Sequence, residues 1–509
     1  MNETIVKHLN FGKDAKETIF KGIKKLTKAV SSTLGASGKC VILEDSAGNP
    51  QITKDGVTVA DSIILLDPVE NMGAKLLKEA ARKTVKEAGD GTTTSTVLAH
   101  AILDRAYSSM DADSHRSIKE GINKAVESTL DYLEKISIKV SGESIYQVAS
   151  ISANNDKKLG SVIAEAFKAV DETGVVMMET HESSDTIVEV VDGAQYDKGF
   201  TNAHFITNND RGISELNNAS VLLVENKIDN IRQIQGVLEY VIKKNKALLI
   251  IADVEPTVKG NIKINVIDAP VYGVNKLNTL KDLSLITGAT IINEDLGDDM
   301  NMITEEHLGS CLKAVSTTGE TIIQRDYFSE EIEDIIKELK KQIKETSNPR
   351  VVVQLEKRIA RLAGKVAIVK VGASSEVELT EKKDRVEDAI CATKAAIKEG
   401  IVPGGGIALL NASQNIKPET KGEEILLDAI RAPYEIILQN AGIVEYDQNE
   451  DEGLGLDVVT GKTVNMVKAG IIDPLLVTKS ALKNAASVAT TILSTDCVIN
   501  NLRANESGR

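Results

Sequence analysis

Apolar residues recur at helical spacing through the first part of the chain. Ala15, Ile19, Ile23, Leu26 and Val30 form one stripe, which predicts a helix over 12–34. Leu76, Leu77, Ala80, Ala81, Val85 and Ala88 predict another over 72–88. Val97, Leu98, Ala101, Ile102 and Ala106 predict a third over 97–107, and Ile118, Ile122, Val126, Leu130 and Leu133 a fourth over 116–136. The period then changes. Short β-branched or aliphatic runs at 187–191, 221–224, 247–252 and 262–267 read as strands between polar turns. A helix over 277–286 and a strand over 290–293 follow. Next comes a helical hairpin, with Ile332, Ile335, Ile336, Leu339 and Ile343 on one arm. Val352, Leu355, Ile359 and Leu362 form the other, and Ser347-Asn348-Pro349 breaks the two. After a strand over 366–371 the pattern is helical to the end, except for a loop at 446–457 and Asp473-Pro474. The order is helical, mixed, helical, so the outer domain is built from both chain ends around an α/β insertion at 187–330.

Between the second and third helices lies Gly89-Asp90-Gly91-Thr92-Thr93-Thr94-Ser95-Thr96. The first N–H groups of a helix have no intrahelical acceptor and carry partial positive charge. Glycines let such a backbone approach an anion, and three hydroxyls add donors. Asp90 would repel a phosphate unless a cation such as Mg²⁺ bridged them. Two readings stand side by side: a phosphate cradle, and a polar loop capping the next helix. Further Gly-punctuated stretches occur at Ser31–Gly38, Ile52–Val57 and Pro403–Gly406.

With 509 residues, 42% apolar and 27% charged, the chain reads as several globular domains. Aromatics are only 3% and Trp is absent, so the core rests on Ile, Leu, Val and Ala. A net charge of −15 without a basic stripe argues against nucleic-acid binding. No apolar run is long enough to cross a membrane. Cys40, Cys311, Cys391 and Cys497 are isolated and have no metal or redox spacing. The first residues resemble neither a signal nor a transit peptide. A cytoplasmic location is the expectation.

Taken together, the motifs resemble those of group I chaperonins, the GroEL type. Thr33-Leu34-Gly35, Ile52-Thr53-Lys54-Asp55-Gly56-Val57, Asn71-Met72-Gly73-Ala74 and Gly89 to Thr94 occur in that family's order. So do Ile151-Ser152-Ala153-Asn154, Arg385-Val386-Glu387-Asp388-Ala389, Gly404-Gly405-Gly406 and Ile472-Asp473-Pro474. The resemblance implies a multidomain α+β fold. Its parts would be a mostly helical equatorial ATPase domain (1–135 and 400–509), a small intermediate hinge domain (136–191 and 367–399) and an α/β apical client-binding domain (192–366). It implies ATP and Mg²⁺, with K⁺ as a further candidate, and a homo-oligomeric, heptameric single or double ring that folds non-native proteins. It also raises a GroES-type cochaperonin.

On the same resemblance, Thr33, Leu34, Gly35 and Ala36 form the first loop over the nucleotide, and Lys54 lies near the phosphates. Asp90 takes the metal, and Gly91, Thr92, Thr93 and Thr94 hold phosphate. Ile151, Ser152, Gly405, Asp457, Val458, Val459, Ile471 and Asp473 complete the nucleotide contacts. Asp388 orients or deprotonates the attacking water, with Asp55 assisting near the γ-phosphate. Phe200, His204, Phe205 and Leu238 form the client surface.

Departures from the family pattern gather in the apical part. Thr201, His204 and Gln235 are more polar than is usual there. Pro256 to Asn261 leaves too few residues for the helix that usually walls the groove. Lys365 replaces one glycine of a hinge pair, and Asp457 stands where Asn is usual. The picture is a divergent chaperonin with its nucleotide motifs nearly intact. A ring-forming ATPase acting as a holdase or scaffold, without GroES-type encapsulation, is the alternative. A small-molecule kinase fits poorly with the long insertion.

Overall fold

The computed structural model describes residues 7–501 apart from 45–47, 49, 110–114, 141, 154, 171–174, 182, 197, 209–210, 229, 255–262, 270–273, 295–296, 300–301, 326–329, 347–350, 352–353, 356–357, 360, 363 and 445–450. The shortened stretch Pro256 to Asn261 and the break at Ser347-Asn348-Pro349 lie outside the described residues. The chain divides into two compact units. One is Met1–Ala164, Glu182–Thr186 and Val371–Arg509; the other is Glu165–His181 and Ile187–Lys370.

The first unit is a helical bundle drawn from both ends of the chain. Helices Gly12–Ser31, Pro68–Ala88, Thr92–Ser109 and His115–Ile136 pack with Lys421–Ala429 and Leu475–Leu493. Their stripes meet in one core containing Ile23, Leu26, Leu77, Leu98, Ile102, Ile122, Leu426 and Leu482, all fully buried. Local chemistry fixes the ends of the elements that matter most. Asp67 accepts the N–H groups of Val69 and Glu70, and Pro68 sits in the first turn. Gly89 closes that helix in the left-handed region, φ +77°, its N–H bonding to the Val85 carbonyl.

Four two-stranded pieces punctuate this unit. Lys7–Phe11 pairs with Cys497–Asn501, Val41–Glu44 with Pro50–Thr53, Ile401–Pro403 with Ile472–Pro474, and Leu454–Asp457 with Lys462–Asn465. The pattern of apolar residues gives a near-continuous helical C-terminal part, whereas the structure places short strands there. A strand of three to five residues carries too few alternations to show a period.

The second unit is built on a nine-stranded sheet. Strand Val175–Thr180 lies at one edge beside Lys365–Val371, and Lys365–Val371, Ile187–Tyr196, Thr321–Gln324, Gly309–Ser316 and Ser214–Ile228 pair antiparallel in that order. Leu248–Val254 and Ile264–Ile267 then continue it in parallel, and Ile291–Ile292 pairs parallel with Ser214–Ile228. The parallel part is covered on both faces, which explains the unbroken apolar run Val221–Val224. Leu222 and Val224 face Ile234, Val237 and Val241 beside helix Gln235–Lys244. Val221 and Leu223 face Leu280, Leu283 and Ile286 of helix Val274–Thr287, together with Ile332 and Leu339 of helix Glu330–Glu345 and with Leu355 and Leu362. Asp282 is fully buried between Arg358, 2.8 Å away, and Arg361, 3.0 Å away. That ion cluster ties the segment carrying Arg358 and Arg361 to helix Val274–Thr287.

Candidate functional site

Helix Thr92–Ser109 begins at the second glycine of the Gly89 stretch. The N–H groups of Thr92, Thr93 and Thr94 therefore have no acceptor inside the helix. Gly91 is at φ +101°, and a Cβ there would stand 2.9 Å from Val477 Cγ1 and 3.1 Å from Thr84 Cγ2. Its N–H donates to the Asp90 carboxylate. The Thr92 hydroxyl oxygen is buried without a hydrogen-bond partner. Asp55 caps the short helix Gly56–Ser62: one oxygen accepts from Val57 N at 3.0 Å, the other from Thr58 N and Thr58 Oγ1 at 2.7 Å. Lys54 precedes it in the same connection. At the far end of that helix the Lys78 ammonium donates to the carbonyls of Asp61 and Ile63, at 3.2 and 2.7 Å.

Carboxylates from three other places, Asp55, Asp388 and Asp473, lie close enough to Asp90 for their charges to act on one another. Burial raises the Asp90 carboxyl above the ordinary value, and Asp55 adds repulsion. Asp388, on helix Glu376–Glu399, is raised well above it by burial, then by the charges of Asp90, Asp55, Asp384 and Glu387. Asp384, one turn earlier, is raised to about 6 by burial and then by Asp55. Asp473 is raised to about 7 by burial and by Asp90, although its carboxylate accepts the backbone N–H groups of Gly405 and Gly406. So many acids held together call for a cation. Among the described residues no group of three or more His, Cys, Asp or Glu could hold a metal by itself. Mg²⁺ fits such a place, because it keeps several water or phosphate oxygens and needs only one or two protein carboxylates.

The remaining nucleotide candidates fall into separate groups within the first unit. The first loop is tightly held: Thr33 Oγ1 donates to the Val30 carbonyl at 2.9 Å, and Gly35 is at φ +84°. Leu34 and Ala36 flank Gly35, and the Asn440 amide donates to the carbonyls of Ser31 and Leu34, both at 2.9 Å. Sequence reasoning missed Asn440, which lies more than 400 residues from the loop it clamps and in no motif. Elsewhere Val458 and Ile471 pack against a small apolar cluster containing Tyr434 and Met466. A Cβ on Gly405 would meet Met466 and Ile471. Asp457 accepts from Val459 N at 3.0 Å and Thr460 Oγ1 at 2.6 Å, and Val459 is 71% exposed. Ile151 and Ser152 end helix Glu143–Ser152, where Ile151 packs near Ile472. All of these belong to the first unit.

The proposed client residues lie in the second unit. Phe200 forms an isolated antiparallel bridge to Ile267. His204 and Phe205 sit on a single 3₁₀ turn, Ala203–Phe205, with His204 exposed. Phe205 and Leu238 pack partly buried against the sheet core. Gln235 is exposed and bonds to Glu239 at 2.7 Å.

The TCP-1/cpn60 chaperonin family model matches residues 26–503. Two solved structures of the chaperonin gp146 from the bacteriophage EL 2 (Pseudomonas aeruginosa), crystallised in the presence of ATP-BeFx, have a similar fold. One, crystal form II, has a TM-score of 0.74 at 21% identity, covering 99% of this chain and 100% of that one. The other, crystal form I, has a TM-score of 0.65 at 21% identity, covering 97% and 99%. A family match over nearly the whole length and a shared multidomain α+β architecture lead to one conclusion: the chain belongs to the TCP-1/cpn60 chaperonin family.

Proposed function

We propose that this chain is an ATP-dependent chaperonin subunit that couples ATP hydrolysis to the folding of non-native proteins in a homo-oligomeric ring. The observation that carries the reading is the convergence of Asp55, Asp90, Asp388 and Asp473 beside the unpaired N–H groups that open helix Thr92–Ser109. Phosphoryl transfer depends mainly on positioning and charge stabilisation, and this centre offers both. Thr92, Thr93, Thr94 and Gly91 hold phosphate oxygens, with Lys54 nearby. The loop at Thr33 to Ala36 covers the nucleotide. Gly405, Asp473, Ile151, Ser152 and Ile471 line the nucleoside side, with Asp457, Val458 and Val459 around the base. Asp90 holds Mg²⁺, which when bound neutralises charge on the phosphates. Asp388 orients the attacking water and takes its proton, a role its raised proton affinity suits, and Asp55 supports it. In this reading residues 1–135 and 400–509 form the equatorial domain, 136–191 and 367–399 the intermediate domain, and 192–366 the apical domain.

The client surface favours a second reading in one respect. Phe205 and Leu238 are turned partly into their own core, while His204 and Gln235 are exposed. Ile242, one turn after Leu238, is 57% exposed and supplies apolar surface. A holdase or scaffold ring without GroES-type encapsulation follows if that surface captures clients only weakly.

Asp388→Ala separates binding from chemistry. ATP affinity stays within a few-fold, and steady-state hydrolysis falls roughly a hundredfold or more. Unchanged turnover removes Asp388 from catalysis. Refolding of an aggregation-prone client, with and without a GroES-type partner, decides between the folding ring and the holdase.

A further inference from the structure

We propose that Cys391 is a positioning residue for hydrolysis: it seats the helix bearing Asp388 on the side-chain-free face of Gly89. The inference rests on the reading of Asp388 given above and adds what sets its position.

Asp384, Asp388, Cys391 and Ala395 are spaced by four, three and four residues on helix Glu376–Glu399, so they share one face. That face runs along the end of helix Pro68–Ala88 and the turn after it, residue against residue. Ala395 packs with Ala88 and Val477. Cys391 lies against Gly89: a Cβ there would stand 2.5 Å from Cys391 Cβ and 3.0 Å from Sγ. Asp90, one residue after Gly89, and Asp388, three before Cys391, lie close enough for the charge of Asp90 to act on Asp388. The seat is thus the step directly before the two carboxylates. Gly89 serves it twice. Its left-handed φ ends the helix, and its missing Cβ leaves room for the thiol. Cys391 has a small, half-buried side chain, its thiol pushed up to about 12 chiefly by desolvation and then by Glu387 and Asp388. It therefore acts as a neutral spacer, not a nucleophile. A longer side chain at this point lifts the helix and withdraws Asp388 from Asp90, while the phosphate loop remains in place.

The test compares Cys391→Leu with the near-isosteric Cys391→Ser in the full-length protein. For Cys391→Leu the kcat of ATP hydrolysis falls roughly tenfold to a hundredfold, the size expected for a misplaced reacting group. KM for ATP stays within about twofold, since loss of a positioning contact does not remove ground-state binding. Cys391→Ser retains wild-type values for both. An unchanged kcat in Cys391→Leu overturns the proposal. So does a parallel loss of binding and turnover, which marks a merely structural role. If Cys391→Leu does not fold, Cys391→Val, a smaller enlargement, gives the same comparison. Asp388→Ala is the control. Normal turnover there sinks the catalytic reading itself, whereas loss of turnover there with normal Cys391→Leu sinks only the seat.

Discussion

Asp473 accepts two backbone N–H groups, which favour its charged form, yet burial and Asp90 outweigh them and raise it to about 7. The sign for stability follows. An acid with a raised folded pKa binds more protons folded than unfolded, so its contribution is greatest at low pH and fades as pH rises from about 4 towards 7. Without nucleotide and metal, the first unit is therefore more stable near pH 5 than near pH 8. Asp473→Asn keeps an acceptor for Gly405 and Gly406 but removes the charge. It should raise the melting temperature at pH 8, by roughly a degree or two, and by clearly less near pH 4, where part of the unfolded chain's Asp473 is still protonated. An equal effect at both pH values contradicts the repulsion. Lys78 answers to a different rule. Its ammonium bonds to two carbonyls at the end of the helix that Asp55 caps. Lys78→Met leaves both carbonyls without that partner and costs about 1–3 kcal/mol in chemical denaturation. It also loosens Asp55, so kcat falls with it.

Among elements, the turn between helices Pro68–Ala88 and Thr92–Ser109 is the most constrained. Gly91→Ala would place a Cβ against Val477 at a φ of +101°. ATP affinity should drop at least about tenfold, since the strain falls on the phosphate-holding backbone itself. Equilibrium binding of a nucleotide analogue measures it. The clamp on Asp282 offers a parallel case in the second unit. Asp282→Ala leaves two partly buried guanidinium groups without their partner and should destabilise that unit by about 3–5 kcal/mol. Elements also differ in how far the chain announces them. The long helices were legible because each repeats its apolar stripe over several turns, as in Ile19, Ile23 and Leu26. The short strands Ile401–Pro403 and Ile472–Pro474 were not, since what makes them strands is each other, some 70 residues apart. The candidate residues were legible through their motifs, several of which sit on loops or helix ends, while Arg385–Ala389 lies inside helix Glu376–Glu399. Their convergence on Asp90, the Cys391 contact and the Asn440 clamp were not, because these depend on tertiary packing between distant segments.

At the scale of the molecule, two separate cores divide the chain. The second unit is continuous from Ile187 to Lys370 apart from Glu165–His181. It has its own sheet, its own two-faced core and its own buried ion cluster. A fragment spanning 187–370 should fold alone and melt cooperatively, as followed by circular dichroism. A fragment that stays unfolded shows that the missing stretch Glu165–His181, with strand Val175–Thr180, is required.

The pairing of Lys7–Phe11 with Cys497–Asn501 has a consequence for how the protein is made. Ile23, Leu26 and Leu98 share their core with Leu482, Ala485 and Leu493. During synthesis the early helices emerge long before their partners and wait with their apolar stripes uncovered. The inserted sheet is complete well before release and can fold at that point. This chain therefore passes through an interval in which part of its core is open to other chains, an interval that ends only when helix Leu475–Leu493 leaves the ribosome.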